Sequence, residues 1–162
     1  MKTEKSTPPL VLLAEDDPND VFFLRRAFKQ AGSRCQIIDV SNGEEAISYL
    51  SAEPHEHPVP ALLLLDLKMP LVNGFDVLLW LQTKPELHEM PTIILSSSCL
   101  DLDVKKAREL GARDYRVKPP SPDELLKLVR EISVKWLPIE TQPSGQSRRD
   151  RPTEGLASHF AE

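Results

Sequence analysis

Four leucines in a row, Leu62–Leu65, end on Asp66, and Pro70, Asn73 and Gly74 break the chain soon afterwards. A strand with one face in water alternates apolar and polar side chains. An unbroken apolar run of this length, closed by turn residues, is therefore a strand covered on both faces. Runs of this kind recur at 10–14, 35–40, 61–65, 92–96 and 114–117, and most are too short for helices. Between them, apolar residues gather on one helical side: Val21, Leu24, Phe28 and Ala31; Leu100, Val104, Ala107 and Leu110; Leu125, Leu128, Ile132 and Trp136. Ala46 with Leu50, and Phe75 with Leu78 and Leu79, make two shorter versions. Asp17 ahead of Pro18 marks a helix start, and Gly32 and Gly111 mark helix ends. The alternation predicts an α/β chain, a doubly wound five-stranded parallel sheet with helices on both faces. In such sheets ligands collect beyond the carboxyl ends of the strands, where Asp66 lies.

The 162 residues suffice for one domain with its own core and a spare segment. The reading is a flexible N-terminus at 1–9, the domain at 10–137 and a disordered tail at 138–162, where Pro, Ser, Arg and Gln dilute the apolar residues. The apolar run LVLLA is too short for a signal peptide or a membrane span, which predicts a cytoplasmic protein with no membrane partner. Cys35 and Cys99 sit in apolar stretches and read as small buried hydrophobes. His55 and His57, two apart in a Pro-stiffened loop with no third ligand, read as solvated. A net charge of −5 argues against a nucleic-acid surface and suits a cation site.

Polar residues cluster after the strands: Glu15, Asp16 and Asp17 after the first, Asp66 after the third, Ser96 to Ser98 after the fourth, Lys118 after the fifth. The first and third strands are neighbours in this kind of sheet, so Glu15, Asp16 and Asp66 share a crevice. Two like charges about 4 Å apart cost on the order of 4 kcal/mol at an effective dielectric near 20. Either one carboxyl keeps its proton or a cation sits among them, and an oxygen-only pocket open to water favours Mg²⁺. Helix capping explains Asp17 but not Asp66, which has no helix directly behind it. Lys118 at the end of a buried strand is costly unless it meets an anion. A metal-bridged phosphoryl group satisfies both demands. Asp66 is ionised at neutral pH and needs no base to attack phosphorus, while Mg²⁺, Lys118 and the Ser96 hydroxyl relieve charge on the equatorial oxygens.

The pattern LLAEDDPND, LLLLDLKMPLVNG, IILSSS and GARDYRVKPP, in this order over residues 10–137, resembles the receiver domain of bacterial two-component response regulators. The resemblance implies a CheY-like, flavodoxin-like fold with strand order 2-1-3-4-5. It implies phosphorylation at Asp66 and Mg²⁺ held by Asp16, Asp66 and the backbone carbonyl of Lys68, with Glu15 acting through water. Ser96 and Lys118 stabilise the phosphoryl group, the bond before Pro119 is cis, and Ser96 and Tyr115 form a switch whose ring moves inward. Lys68 and Ser98 occupy positions that tune dephosphorylation. The implied partner is a sensor histidine kinase, and AEDDPNDVFFLRRAFKQAG with LLKLVREISVKWLP resembles the single-domain regulators of phytochrome-type kinases. Such regulators pair through the fourth-helix to fifth-helix face, so a homodimer through Leu100, Leu102 or Trp136 is expected. The protein would catalyse only its own phosphorylation and dephosphorylation. Two other readings use the same residues, a scaffold that takes no phosphoryl group and a haloacid-dehalogenase-type phosphatase. The second normally carries an acid two residues past its nucleophile, where this chain has Lys68.

Overall fold

A computed structural model describes residues 7–138. Residues 1–6 and the tail beyond Pro138 lie outside the described residues, and the expectations for them are not tested by it. Five parallel strands, β1 (Leu10–Ala14), β2 (Gln36–Val40), β3 (Leu62–Leu65), β4 (Thr92–Ser96) and β5 (Asp114–Val117), alternate with five helices. These are α1 (Pro18–Gln30), α2 (Gly43–Ser51), α3 (Gly74–Gln82), α4 (Asp101–Glu109) and α5 (Pro122–Trp136). The sheet order is β2-β1-β3-β4-β5, as expected, so the winding reverses between β1 and β3.

The leucine run divides by parity. Leu62 and Leu64, with Val11, Leu13, Ile93 and Leu95, pack on Leu24 and Phe28 of α1 and Leu128 and Ile132 of α5. Leu63 and Leu65, with Leu12, Ala14 and Ile94, pack on Ala46, Val77, Leu78 and Ala107 of α2, α3 and α4. Two cores, one per face, are what consecutive apolar residues demand, and each fully buried leucine contributes about 1.5–3 kcal/mol. The edge strands β2 and β5 are less buried. β5 ends at Val117, itself 45 % exposed, so Lys118 follows a half-open edge strand rather than closing a buried one.

Local signals explain most boundaries. Asp17 caps α1 by accepting from the Asn19 N–H at 2.8 Å, and Asn42, Asn73 and Ser121 cap α2, α3 and α5 in the same way. α1 and α4 run out into Gly32 and Gly111, whose φ values of 70° and 101° favour glycine. Leu71, in the turn after β3, has φ 66° without that freedom. Three further expectations need correction. Leu100 is not on the apolar side of α4 but at its N-cap, 63 % exposed. Cys99 is exposed and Cys35 half-buried, because one lies where the chain has left β4 and the other just ahead of an edge strand. The Lys118–Pro119 bond is trans, since no cis peptide occurs among the described residues. The 53–60 loop lies on the surface, with His57 stacked on the Tyr49 ring at 4.4 Å. Among the described residues no helix is long and apolar enough to cross a membrane.

Candidate functional site

Backbone hydrogen bonds at the upper rim of the sheet fix the polar residues. The Glu15 N–H donates to the Val40 carbonyl and the Asp66 N–H to the Ala14 carbonyl, both at 3.0 Å, while the Lys118 N–H donates to the Ser96 carbonyl at 2.8 Å. Each charged residue therefore sits one step past a paired strand end, and the β1–β3 register places Glu15 and Asp16 beside Asp66. One carboxylate oxygen each from Glu15, Asp16 and Asp66 lies within 4.8 Å of the others. Glu15 and Asp66 are buried and Asp16 is exposed, so the cluster opens to water on the Asp16 side.

Glycine makes room behind this cluster. A Cβ on Gly74, the first residue of α3, would stand 2.3 Å from the Asp66 carbonyl oxygen. The helix start thus presses directly on the Asp66 backbone, with the Gly74 N–H bonded to the Leu67 carbonyl at 3.0 Å. This is the reason for the turn chemistry that follows the leucines.

Lys118 reaches into the cluster from the other side. Its Nζ lies 2.6 Å from Glu15 Oε2, 2.8 Å from Asp20 Oδ2 and 3.1 Å from Asp66 Oδ2. Asp20 escaped the sequence reading. It stands on the first turn of α1, four residues past Asp16, where an acid ordinarily complements a helix N-terminus. Burial pushes the Glu15 carboxyl up to about 7, with the Asp66 charge adding to the rise, against the hydrogen bonds from Lys118 and the Asp17 N–H. Burial alone would lower the Lys118 ammonium, but its bonds to Asp20 and Glu15 and the Asp66 charge hold it well above the ordinary lysine range. One ammonium faces several carboxylates, and a divalent cation would relieve the remainder. The donor set suits one: hard oxygens only, partly open to water.

On the β4 side, Ser96 is fully buried, and its Oγ accepts from the Ser98 N–H at 3.2 Å. The Ser98 carbonyl accepts from the Tyr115 hydroxyl at 2.8 Å, and the Ser98 hydroxyl donates to Asp103 Oδ2 on α4. The Tyr115 ring, expected to move inward, already lies in the core at 8 % exposure. Lys68 is exposed at the rim, its N–H 3.4 Å from Asp66 Oδ1. Glu15, Asp16, Asp66, Lys68, Ser96, Ser98 and Lys118 thus lie at the carboxyl end of the sheet or in the connections leaving it, while Tyr115 lies within β5, paired with Ile94. Leu102 projects into solvent at 79 % exposure, whereas Trp136 is partly buried against the α1–α5 core.

A parallel sheet that gathers an acidic trio, a lysine and a hydroxyl at its switch point describes a phosphoryl-accepting signalling domain. The pattern of the response regulator receiver domain matches residues 11–130, and the chain belongs to that family of two-component signalling proteins. Response regulator Rcp1 of Synechocystis sp. is 30% identical over 146 residues, covering 89% of this chain and 99% of that protein. A probable methanogenesis regulatory protein, FilR2 of Methanothrix harundinacea, is 31% identical over 141 residues, covering 86% and 91%. The Mn²⁺-bound structure of Rcp1 superposes with a TM-score of 0.73, covering 85% of this chain and all of that one. The phosphorylated cyanobacterial phytochrome response regulator RcpA, 28% identical, gives 0.75 over 85% of this chain and 100% of its own.

Proposed function

We propose that the chain accepts a phosphoryl group on Asp66 from a phytochrome-type histidine kinase, with Mg²⁺, and signals through the face formed by α4, β5 and α5. The observation that carries this reading is the Lys118 ammonium 3.1 Å from Asp66 Oδ2, beside three convergent carboxylates. Asp16, Asp66 and the carbonyl of Lys68 would hold the metal, and Glu15 would act through water. When bound, the metal supplies charge neutralisation for the phosphoryl oxygens. Asp66 Oδ2 forms the new bond to phosphorus as the bond to the donor nitrogen breaks. The donor imidazole, already protonated on its other nitrogen, keeps the electron pair of the broken N–P bond and leaves neutral, so no protein base is required. Lys118 exchanges its Asp66 contact for a phosphoryl oxygen, and Ser96 donates its hydroxyl to another.

The arriving group draws on Ser96, whose Oγ is tied to Ser98, and Ser98 is tied in turn to Tyr115 and Asp103. The segment 97–102 and the start of α4 are the bistable element. Turning a 1:99 population into 99:1 requires about 5.5 kcal/mol of differential stabilisation. Leu100 and Leu102, exposed beside this element, are the contacts of a homodimer. The protein catalyses only its own phosphorylation and dephosphorylation, works in the cytoplasm and engages no nucleic acid or membrane. Lys68 and Ser98 tune the lifetime of the phosphorylated state, and Lys68 lengthens it by obstructing in-line water.

Incubation with acetyl phosphate and Mg²⁺ is expected to add about 80 Da to the intact mass, and Asp66→Asn to abolish the gain. Turnover of phosphate esters would instead indicate a phosphatase, and an unchanged mass a scaffold. Lys68→Ala is expected to shorten the phosphoryl lifetime; an unchanged decay rate removes Lys68 from this role.

A further inference from the structure

Asp20 belongs to none of the roles above, yet its carboxylate holds the lysine on which they depend. An ammonium has three hydrogens, and Lys118 has three carboxylate partners, Glu15, Asp20 and Asp66. The three differ in what happens to them next. Glu15 and Asp66 belong to the group that can hold a metal ion; Asp20 does not. A divalent cation draws on the charge of the first two, and phosphoryl transfer turns Asp66 Oδ2 from a charged carboxylate oxygen into a weakly accepting bridging one. Asp20 is the partner that neither event touches directly. It is also built differently: its backbone lies in the first turn of α1, behind the Asp17 cap and Pro18, and its side chain is 36% exposed against 19% for Lys118. A long lysine chain held at one end only by the loop before Pro119 and Pro120 samples many rotamers. A fixed carboxylate at 2.8 Å removes that freedom.

We propose that Asp20 is a positioning residue: through its contact with Lys118 it keeps the ammonium over the Asp66 edge, so that a vacated N–H meets the incoming phosphoryl oxygen. The inference rests on Asp66 being the acceptor, and its test separates the two. The Asp66 Oδ2–P bond forms as the P–O bond of acetyl phosphate breaks, acetate leaving with the electron pair, and Asp20 takes no part in either bond.

Phosphorylation of the full chain by acetyl phosphate with saturating Mg²⁺ is followed by intact mass. Asp20→Ala is expected to lower the maximal rate about tenfold, the factor corresponding to 1.4 kcal/mol, with less effect on the acetyl phosphate concentration at half-maximal rate. Asp20→Asn keeps an acceptor oxygen in place and is expected to recover about threefold of that loss, a factor at the modest end of a net hydrogen bond because the carboxylate charge is gone. In the metal-free protein, labelling with an amine-reactive ester is read at Lys118 against Lys105, a surface lysine whose side chain is 74% exposed. Asp20→Ala is expected to raise Lys118 labelling several-fold relative to Lys105, because a lysine freed of one of its three carboxylate contacts is held less tightly and is more accessible. A wild-type rate in Asp20→Ala, an Asn variant no faster than the Ala variant, or unchanged Lys118 labelling overturns the assignment of Asp20. Absence of any mass gain in the wild type overturns the reading of Asp66 instead.

Discussion

Gly74→Ala tests how closely Asp66 depends on the helix behind it. A methyl group there would meet the Asp66 carbonyl oxygen at 2.3 Å, Leu67 Cα at 2.9 Å and the Asp66 carbonyl carbon at 3.1 Å. All three are backbone atoms, so no flexible side-chain tip can yield. Opening 2.3 Å to an ordinary contact of 3.4 Å moves the start of α3 or the Asp66 peptide by about 1 Å. Overpacking of this kind costs about 1–3 kcal/mol, of which the helix preference of alanine over glycine returns about 0.5–1 kcal/mol. A net loss near 1–2 kcal/mol lowers the melting temperature of a domain of this size by about 4–10 °C. Thermal unfolding by circular dichroism measures that loss, and acetyl phosphate labelling measures the displacement at Asp66, where a 1 Å error costs on the order of a hundredfold in rate. Gly111→Ala serves as the comparison. Its φ of 101° strains an alanine but its Cβ meets nothing within 4 Å, so stability falls while labelling stays normal. Equal melting of Gly74→Ala and wild type would refute the close contact. Lower melting with an unchanged labelling rate would refute the claim that it reaches Asp66.

Lys118→Met leaves Glu15, Asp20 and Asp66 without their shared cation; calorimetry should show tighter Mg²⁺ binding, and mass spectrometry slower phosphorylation. In the metal-free protein the Glu15 carboxyl is raised from 4.5 to about 7. Its contribution to stability is complete below about pH 4.5 and lost as pH rises through about 7. The melting temperature of wild type should therefore fall relative to Glu15→Gln across that window, with Mg²⁺ reversing the fall; parallel curves would contradict it. Leu71 holds φ 66° with its side chain 77% exposed. Leu71→Asn should stabilise the protein by about 0.5–1 kcal/mol, read from denaturant unfolding, because asparagine tolerates the left-handed region.

The sheet could be read from the chain because buried parallel strands leave a mark that no other element makes. Leu62–Leu65 has no polar position, and the structure places alternate members in opposite cores. Asp66 stood out because an acid ending such a run had no local explanation. Asp20 went unseen for the opposite reason: an acid in the first turn of a helix already has a local explanation, and its contact with Lys118 spans 98 residues. Cys99 and Leu100 misled because apolar neighbours imply burial only while the chain runs inside the sheet. Both lie beyond the end of β4, where connections turn to water. The inward position of Tyr115 depends on the Ser98 carbonyl, a backbone atom whose direction no residue type reveals.

The rungs that join Asp66 to Ala14 and Lys118 to Ser96 have an architectural consequence. Because the reactive groups hang from the last links of a ladder, connections at the opposite rim are free to lengthen or change without disturbing them. Deleting one leucine from β3, by contrast, would turn the carboxylate to the other side of the sheet and away from Glu15, Asp16 and Lys118. Tinkering at one end and rigidity at the other follow from the same handful of amide contacts.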